Sequence, residues 1–398
     1  MQTNSEPAEA EPAKLGPSGA LIAIMAVATG VLVANLYYSQ PIIGIIAPQI
    51  KVDRNWGGTL VSVTQLGYGL GLFFLVSLSD LVENRRLVLL MVAGAIVGLL
   101  AAAVSMNAAI FLIASFTIGV CSTGAQVLVP FVAHLAPIAK RGQVVGTVMA
   151  GLLTGIMLAR PAALAITGVV GWRAVFWIAS GLLTVIGIAL ARIMPRHEPK
   201  SGLRYGQNLA SMLELLRSSP ILRRRAGYQA LMFAGFNLFW TASPLMLVQR
   251  FGLTQYGIAL FALAGAGGAL AAPLAGRLAD SGYTRRATGG AMAVLGLSFL
   301  ATLWSANAGL LAILVVLAIL IDGAVQMNQV VSQRIIFSLP SESRGRVNAI
   351  YMSLVFFGGA FGSAMSTALY HWGGWPAIAA TGALIGLTLL TFFAFEKQ

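Results

Sequence analysis

Asp80-Leu-Val-Glu-Asn-Arg85-Arg86 and Asp280-Ser-Gly-Tyr-Thr-Arg285-Arg286 each set one acid five residues ahead of an arginine pair, about 200 residues apart in a chain of 398. Both copies follow a long apolar run and precede another. Other anchors recur in the same order. Asn35 before Tyr37-Tyr38 answers to Asn237 before Phe239-Trp240, and Pro41 to Pro244. Arg141-Gly142 answers to Arg344-Gly345, and Gly171-Trp172 to Gly374-Trp375. Ordered self-similarity of this kind means two copies of one structural unit.

The unit belongs in a bilayer. The chain is 58% hydrophobic and 9% charged, against roughly 25% charged residues in soluble domains. A membrane-crossing helix needs about 20 apolar residues, and runs of that length fill almost the whole sequence. The expected fold is all-α, with about twelve transmembrane helices in two pseudo-symmetric six-helix bundles. Open strands are excluded because their edges cannot face lipid. Residues 1–18, with Glu6, Glu9, Glu11 and three prolines, read as a disordered cytoplasmic tail. Residues 19–194 form the first bundle, 195–225 a cytoplasmic linker with an amphipathic run around Leu209–Leu216, and 226–395 the second bundle. Among the single spans this gives are 20–47, 226–249 and 257–279.

Of 25 Lys and Arg, twenty fall in connections on the side of the N-terminus and four (Lys51, Arg54, Arg173, Arg250) on the other. That asymmetry puts both termini in the cytoplasm. It also accounts for the net charge of +13 without nucleic acid as a partner. Cys121 is the one cysteine, so no intrachain disulfide can form, and inside an apolar run it reads as a packing residue. His134 and His371 sit near helix ends without partners at metal-ligand spacing.

The repeat resembles the major facilitator superfamily over essentially all residues after the tail. The family's loop motif is G-x-x-x-D-[RK]-x-G-[RK]-[RK]. The second copy matches it at Gly276, Asp280, Arg285 and Arg286, and the first keeps Asp80, Arg85 and Arg86 but has Val76, Leu81 and Glu83 elsewhere. Gly171-Trp172-Arg173 resembles the turn into the sixth helix of bacterial drug and metabolite exporters of that superfamily. Asn35-Leu-Tyr-Tyr-Ser-Gln40-Pro41 is similar to the first helix of a bacterial subgroup. The resemblance implies secondary transport by alternating access, a small-molecule substrate, no cofactor and a site lined by helices one, four, seven and ten. Arg160-Pro161 stands where the exporters show Gly-Pro, although Gly151-x-x-x-Gly155 keeps the close-packing character. Neutral Asn35 replaces the carboxylate that many proton-coupled exporters carry in helix one.

Charge at membrane depth costs ~2.5–3.5 kcal/mol or more, so it marks function by default. Two such groups stand out, Arg160 in the fifth helix and Asp322 in the tenth. Asp322 opens a stripe with Gln326, Gln329 and Gln333, all on one helical face. Gln126 is the counterpart of Gln329 in the first half. Such a stripe faces either a wet cavity or polar neighbours that hold the half together. Asp322 suits a role in proton or substrate binding, since limited hydration favours the neutral form of a carboxyl group; a structural pair is the alternative. Arg160 suits its counter-ion, a substrate carboxylate or backbone carbonyls. Asn35, Tyr38, Asn237 and Trp240 are expected beside the substrate, although Tyr and Trp near helix ends also anchor membrane interfaces. Asp80 and Asp280 gain nothing as topology signals, and loop charges without a gating role are the alternative. The expectation is that each faces the basic residues opening the next helix, or clamps a helix of the other half, when the inner gate shuts.

No nucleophile–base set, metal-binding helix motif or phosphate loop is present, which sets enzymes and ATP-driven pumps aside. The reading is a monomeric, proton-coupled exporter of small organic molecules in a bacterial inner membrane. An uptake permease or facilitator for a small organic anion is the alternative.

Overall fold

The hydroxyl of Ser18 accepts from the Leu21 amide and caps α1 (Gly19–Ala34), so an apolar run that would fray at its first turn starts sharply. The computed structural model describes residues 17–198, 204–268, 271–338 and 344–396. Most of the expected tail, and part of the expected linker, lie outside these. Among the described residues there are sixteen α-helices, four short 3-10 or π segments and no strand.

The first bundle continues with α2 (Ile43–Gln49), α3 (Gly57–Gly71), α4 (Asn84–Val104), α5 (Ala108–Ser122), α6 (Gly124–Leu135), α7 (Arg141–Val170) and α8 (Trp172–Ile193). After α9 (Tyr205–Ser218) come α10 (Pro220–Phe251), α11 (Gln255–Ala262), α12 (Ala264–Gly268), α13 (Ala271–Asp280), α14 (Thr284–Asn307), α15 (Leu311–Ile336) and α16 (Arg344–Ala394). Ten helical stretches are long and apolar enough to span a bilayer. One of them, α16, breaks at Gly374 and supplies two crossings. With the shorter α1, the described residues give the expected twelve.

Several expected spans differ in detail. The first, 20–47, is not one helix. It stops at Ala34, turns through residues 35–39 and resumes through Gln40–Ile42 into α2. Pro41 contributes to the break, because it lacks the amide donor that would bond back to the Tyr37 carbonyl and continue the helix. The seventh span begins at Pro220, capped by Ser219, and not at 226. Arg223, Arg224 and Arg225 therefore belong to a helix, where Arg224 pairs with Glu396 at 2.8 Å and Arg225 donates to Thr288 at 2.9 Å. The eighth span is divided into α11, α12 and α13.

Equivalent positions of the repeat do equivalent work. Gly171 and Gly374 both adopt positive φ, 90° and 63°, a region open to glycine at no steric cost. Each is followed by a buried tryptophan, Trp172 or Trp375. Inside each bundle a Gly-x-x-x-Gly pair brings two backbones together. Gly151 and Gly155 of α7 lie on Ala26 and Gly30 of α1, while Gly358 and Gly362 of α16 lie on Ala230 and Ala234 of α10. A Cβ on Gly155 would sit 2.1 Å from the Gly30 carbonyl oxygen. Without a hydrophobic drive between helices in lipid, such close approach supplies the packing energy.

The bundles meet along α3 and α16, where the Gly58 amide donates to Thr367 Oγ1 at 2.8 Å, and along α7 and α11, where Gly168 faces Gln255. α9 lies across one end of the molecule. Tyr205 and Asn208 donate to the carbonyls of Phe74 and Ser77, each at 3.0 Å, and Ser211 accepts from Arg346 at 2.7 Å.

Candidate functional site

Between the bundles is a cavity of about 330 Å³. Its innermost end holds Arg160 of α7 and Asp322 of α15, both buried, and it extends past Gln326, Gln329 and Gln333 to Asn348 and Met352 near the α9 end. The polar stripe of α15 thus faces the cavity, and Gln126 of the first half lines it as well. Apolar and aromatic walls complete it, with Phe233 and Phe236 of α10, Met149 and Met157 of α7, and Phe356 of α16.

Arg160 and Asp322 come from opposite bundles and form no direct ion pair. Trp240 serves both. Its indole N–H donates to Asp322 Oδ1 at 2.7 Å, and its ring centroid lies 4.7 Å from the Arg160 guanidinium carbon. Tyr37 at 4.9 Å and Phe236 at 5.1 Å complete a three-ring cage around that guanidinium. Ring faces are electronegative and stabilise a desolvated cation, so a cage can hold a buried arginine that no carboxylate neutralises directly. Arg160 Nε donates to Gln40 Oε1 at 3.0 Å, while Nη2 has no partner. An unpartnered donor in low dielectric is costly, which makes Nη2 ready to take a ligand acceptor.

Gln40 carries the network across the bundle interface. Its amide nitrogen donates to Asn237 Oδ1 at 3.0 Å and to Thr241 Oγ1 at 3.1 Å. Gln65 of α3 donates to the same Asn237 oxygen at 2.5 Å. These bonds, with the Gly58–Thr367 contact, close the cavity at the end away from α9.

The expected site residues divide accordingly. Arg160, Asp322, Gln126, Gln326 and Gln329 are brought together on the cavity wall. Trp240 and Asn237 stand directly behind it and position the groups in front. Asn35 and Tyr38 are not on it, contrary to expectation. Asn35 is buried with both amide atoms unpartnered, and Tyr38 packs against the core beside it, because the chain turns there and presents Tyr37 instead. Gln329 accepts from Gln229 at 2.8 Å, so the bundle-holding and cavity-lining readings of this glutamine both describe it. Sequence reasoning missed Gln40, Gln65 and Tyr68, whose hydroxyl accepts from Gln126 at 3.2 Å.

The loop charges find partners beyond their own loops. Asp280 pairs with Arg334 of α15 and not with Arg285 or Arg286. Arg285 lies over the Phe393 ring and Arg286 over that of Tyr283. Arg85 donates to the Ala191 carbonyl. Asp80 faces Arg346 of the other bundle, and the desolvation of that rim raises its pKa against the opposing pull of Arg346. Each acid finds a partner on a helix that is adjacent in space and remote in sequence.

The profile of the Major Facilitator Superfamily matches residues 22–328 and 226–397. The uncharacterized transporter YgaY of Escherichia coli O157:H7 is 40% identical over 384 residues, covering 96% of this chain and 97% of its own length. The chain belongs to the major facilitator superfamily. The probable transporter SCO4007 of Streptomyces coelicolor is 34% identical over 97% of this chain and 90% of its own. Among solved structures, the nucleoside transporter NupG superposes with a TM-score of 0.74 at 11% identity, covering 94% of this chain and all of that one. A bacterial homologue of the lysosomal transporter Spinster, in an inward-facing and occupied conformation, gives 0.72 at 14% identity over 94% of each chain. At these identities the superpositions speak to fold alone. This superfamily member is a multi-pass membrane transporter of small molecules, and not an enzyme.

Proposed function

We propose that the chain is a monomeric, proton-coupled secondary transporter of small organic molecules in a bacterial inner membrane, working as an exporter. The observation that carries the coupling is the placement of Asp322, a buried carboxylate at the innermost end of the cavity with Arg160 of the other bundle beside it and Trp240 touching both. A proton or substrate at Asp322 changes the balance of charge between the two bundles, which is the differential interaction alternating access requires. The charge bias supports a cytoplasmic position for the α9 end and both termini. The form described here then has its cavity toward the cytoplasm and its outer side closed by Gln40, Asn237, Gln65 and Thr241. Export is favoured by the exporter-like turn at Gly171-Trp172-Arg173. Rearrangement at Asp80, Asp280 and their arginine partners would shut the inner side.

A second reading is uptake or facilitated passage of a small organic anion. It is favoured by Arg160 Nη2, a buried cationic donor at the cavity without a partner.

The test begins with a compound panel on strains that over-express or lack the protein, then moves to proteoliposomes. Asp322→Asn should abolish flux driven by a pH gradient and spare counterflow. Unchanged gradient-driven flux would remove Asp322 from coupling. Drug-like cations or neutral molecules accumulating in the deletion strain support export, and loss of uptake of an organic acid supports the second reading.

A further inference from the structure

Behind α15, on the face turned away from the central cavity, α13, α14 and α15 enclose a groove of about 650 Å³. Its walls are apolar, with Leu274, Val294 and Leu320 each more than a third exposed in the protein alone. Gly290 of α14 lines it, and a Cβ there would meet no atom within 4 Å. One end carries a cation: Arg286 lines the groove with its guanidinium carbon 5.2 Å from the centroid of the Tyr283 ring. Among the described residues Arg286 has no carboxylate partner, because Asp280 is taken by Arg334.

The length of the groove identifies what fits it. From Arg286 to Val294, at 1.5 Å per helical residue, is about 12 Å, close to half of a hydrocarbon core of ~30 Å. The groove therefore starts at headgroup level and ends near the bilayer midplane. A guanidinium at one end and hydrocarbon walls along the rest match a molecule with a phosphate head and an acyl tail.

We infer that this groove is a binding site for an anionic phospholipid of the leaflet at the α9 end, with its phosphate on Arg286 and one acyl chain between α13, α14 and α15. The chain fills the space behind Ile319, Leu320 and Gly323, on the turn of α15 whose opposite face presents Asp322 to the cavity. The lipid thus braces the helix that carries the proposed proton carrier, from outside the substrate path.

The purified full-length protein would be incubated with phosphatidylglycerol or phosphatidylcholine and the retained lipid counted by native mass spectrometry. The wild type should retain the anionic lipid over the zwitterionic one by roughly fivefold, the preference one basic residue near a membrane surface provides. Arg286→Gln should bring that ratio close to one. Arg285→Gln, whose side chain lies over Phe393, should leave it. Gly290→Leu puts a side chain into the groove from α14, with its Cβ free of contacts, and should lower retention of both lipids. Equal loss of preference in the two arginine variants, no preference in the wild type, or full retention in Gly290→Leu would overturn the assignment. A dimer present in the wild type and lost in Gly290→Leu would assign the groove to a second copy instead. Should Arg286→Gln fail to fold, the Gly290→Leu result decides.

Discussion

Replacing Gln40 by methionine tests whether the outer closure is held by hydrogen bonds between the bundles. Methionine is close in size and flexibility but neither donates nor accepts well. Three bonds of Gln40 are lost, and only two of them count. The bond from Arg160 joins residues of one bundle and can persist whichever way the transporter faces. The bonds to Asn237 and Thr241 cross to the other bundle and must break on opening. At about 1 kcal/mol each, their loss favours the outward-open form by ~2 kcal/mol, a shift of roughly 30-fold. Gln65→Met removes one crossing bond and should give about fivefold. The assay is labelling of a cysteine at Ser363, a buried position that accepts a weak 3.5 Å hydrogen bond from Thr241. Cys121→Ala removes the native thiol, and a membrane-impermeant maleimide is added from outside. Labelling is limited by how often the bundles part, so its rate should follow the shift. If Gln40→Met labels within twofold of the parent, closure rests on packing at α3 and α16, and the hydrogen-bond account is wrong.

Arg160→Lys keeps the charge but not the fork, and an ammonium fits the three-ring cage poorly. Affinity for anionic substrates should fall at least about tenfold, by ~1.4 kcal/mol, in competition assays, with neutral substrates little affected; equal loss for both would make Arg160 structural. Gly155→Leu drives a side chain into the Gly30 carbonyl and should lower the melting temperature or abolish folding, whereas Gly146→Leu, with nothing within 4 Å, should be tolerated when both are followed by thermal size-exclusion analysis. Asp80→Asn removes the carboxylate that faces Arg346 at the rim and should change gating by less than about 1 kcal/mol, read as a change of a few-fold at most in the same maleimide rate.

The helical architecture was legible because the duplicated anchors and the membrane-length apolar runs are both written in the chain. Gly171 and Gly374 show why, since one backbone turn demands one residue type in each half. Arg160, Asp322 and the glutamines of α15 were legible because charge and amide groups at membrane depth have few permitted destinations. Asn35 was misleading for the same reason. It is as polar as Gln40 and nearer the middle of its apolar run, yet the chain unwinds ahead of Pro41 and aims Gln40 inward while Asn35 turns away. Gln65, one amide in the apolar run of α3, carried a readable signal of the same kind. The loop charges were opaque for a different reason. Arg334 and Arg346, which answer Asp280 and Asp80, sit on helices whose adjacency only the folded bundles create.

The way α9 is fastened has a mechanical consequence. Tyr205 and Asn208 grip the first bundle at Phe74 and Ser77, and Met212 packs on Ser77 as well. The Ser211–Arg346 bond is its polar grip on the second bundle. During rocking, α9 should ride with the first bundle as a passenger and let go of Arg346 like an unhooked latch. The swivel is then the extended residue Ser219, just ahead of Pro220, where the polypeptide must absorb the relative rotation of its two halves.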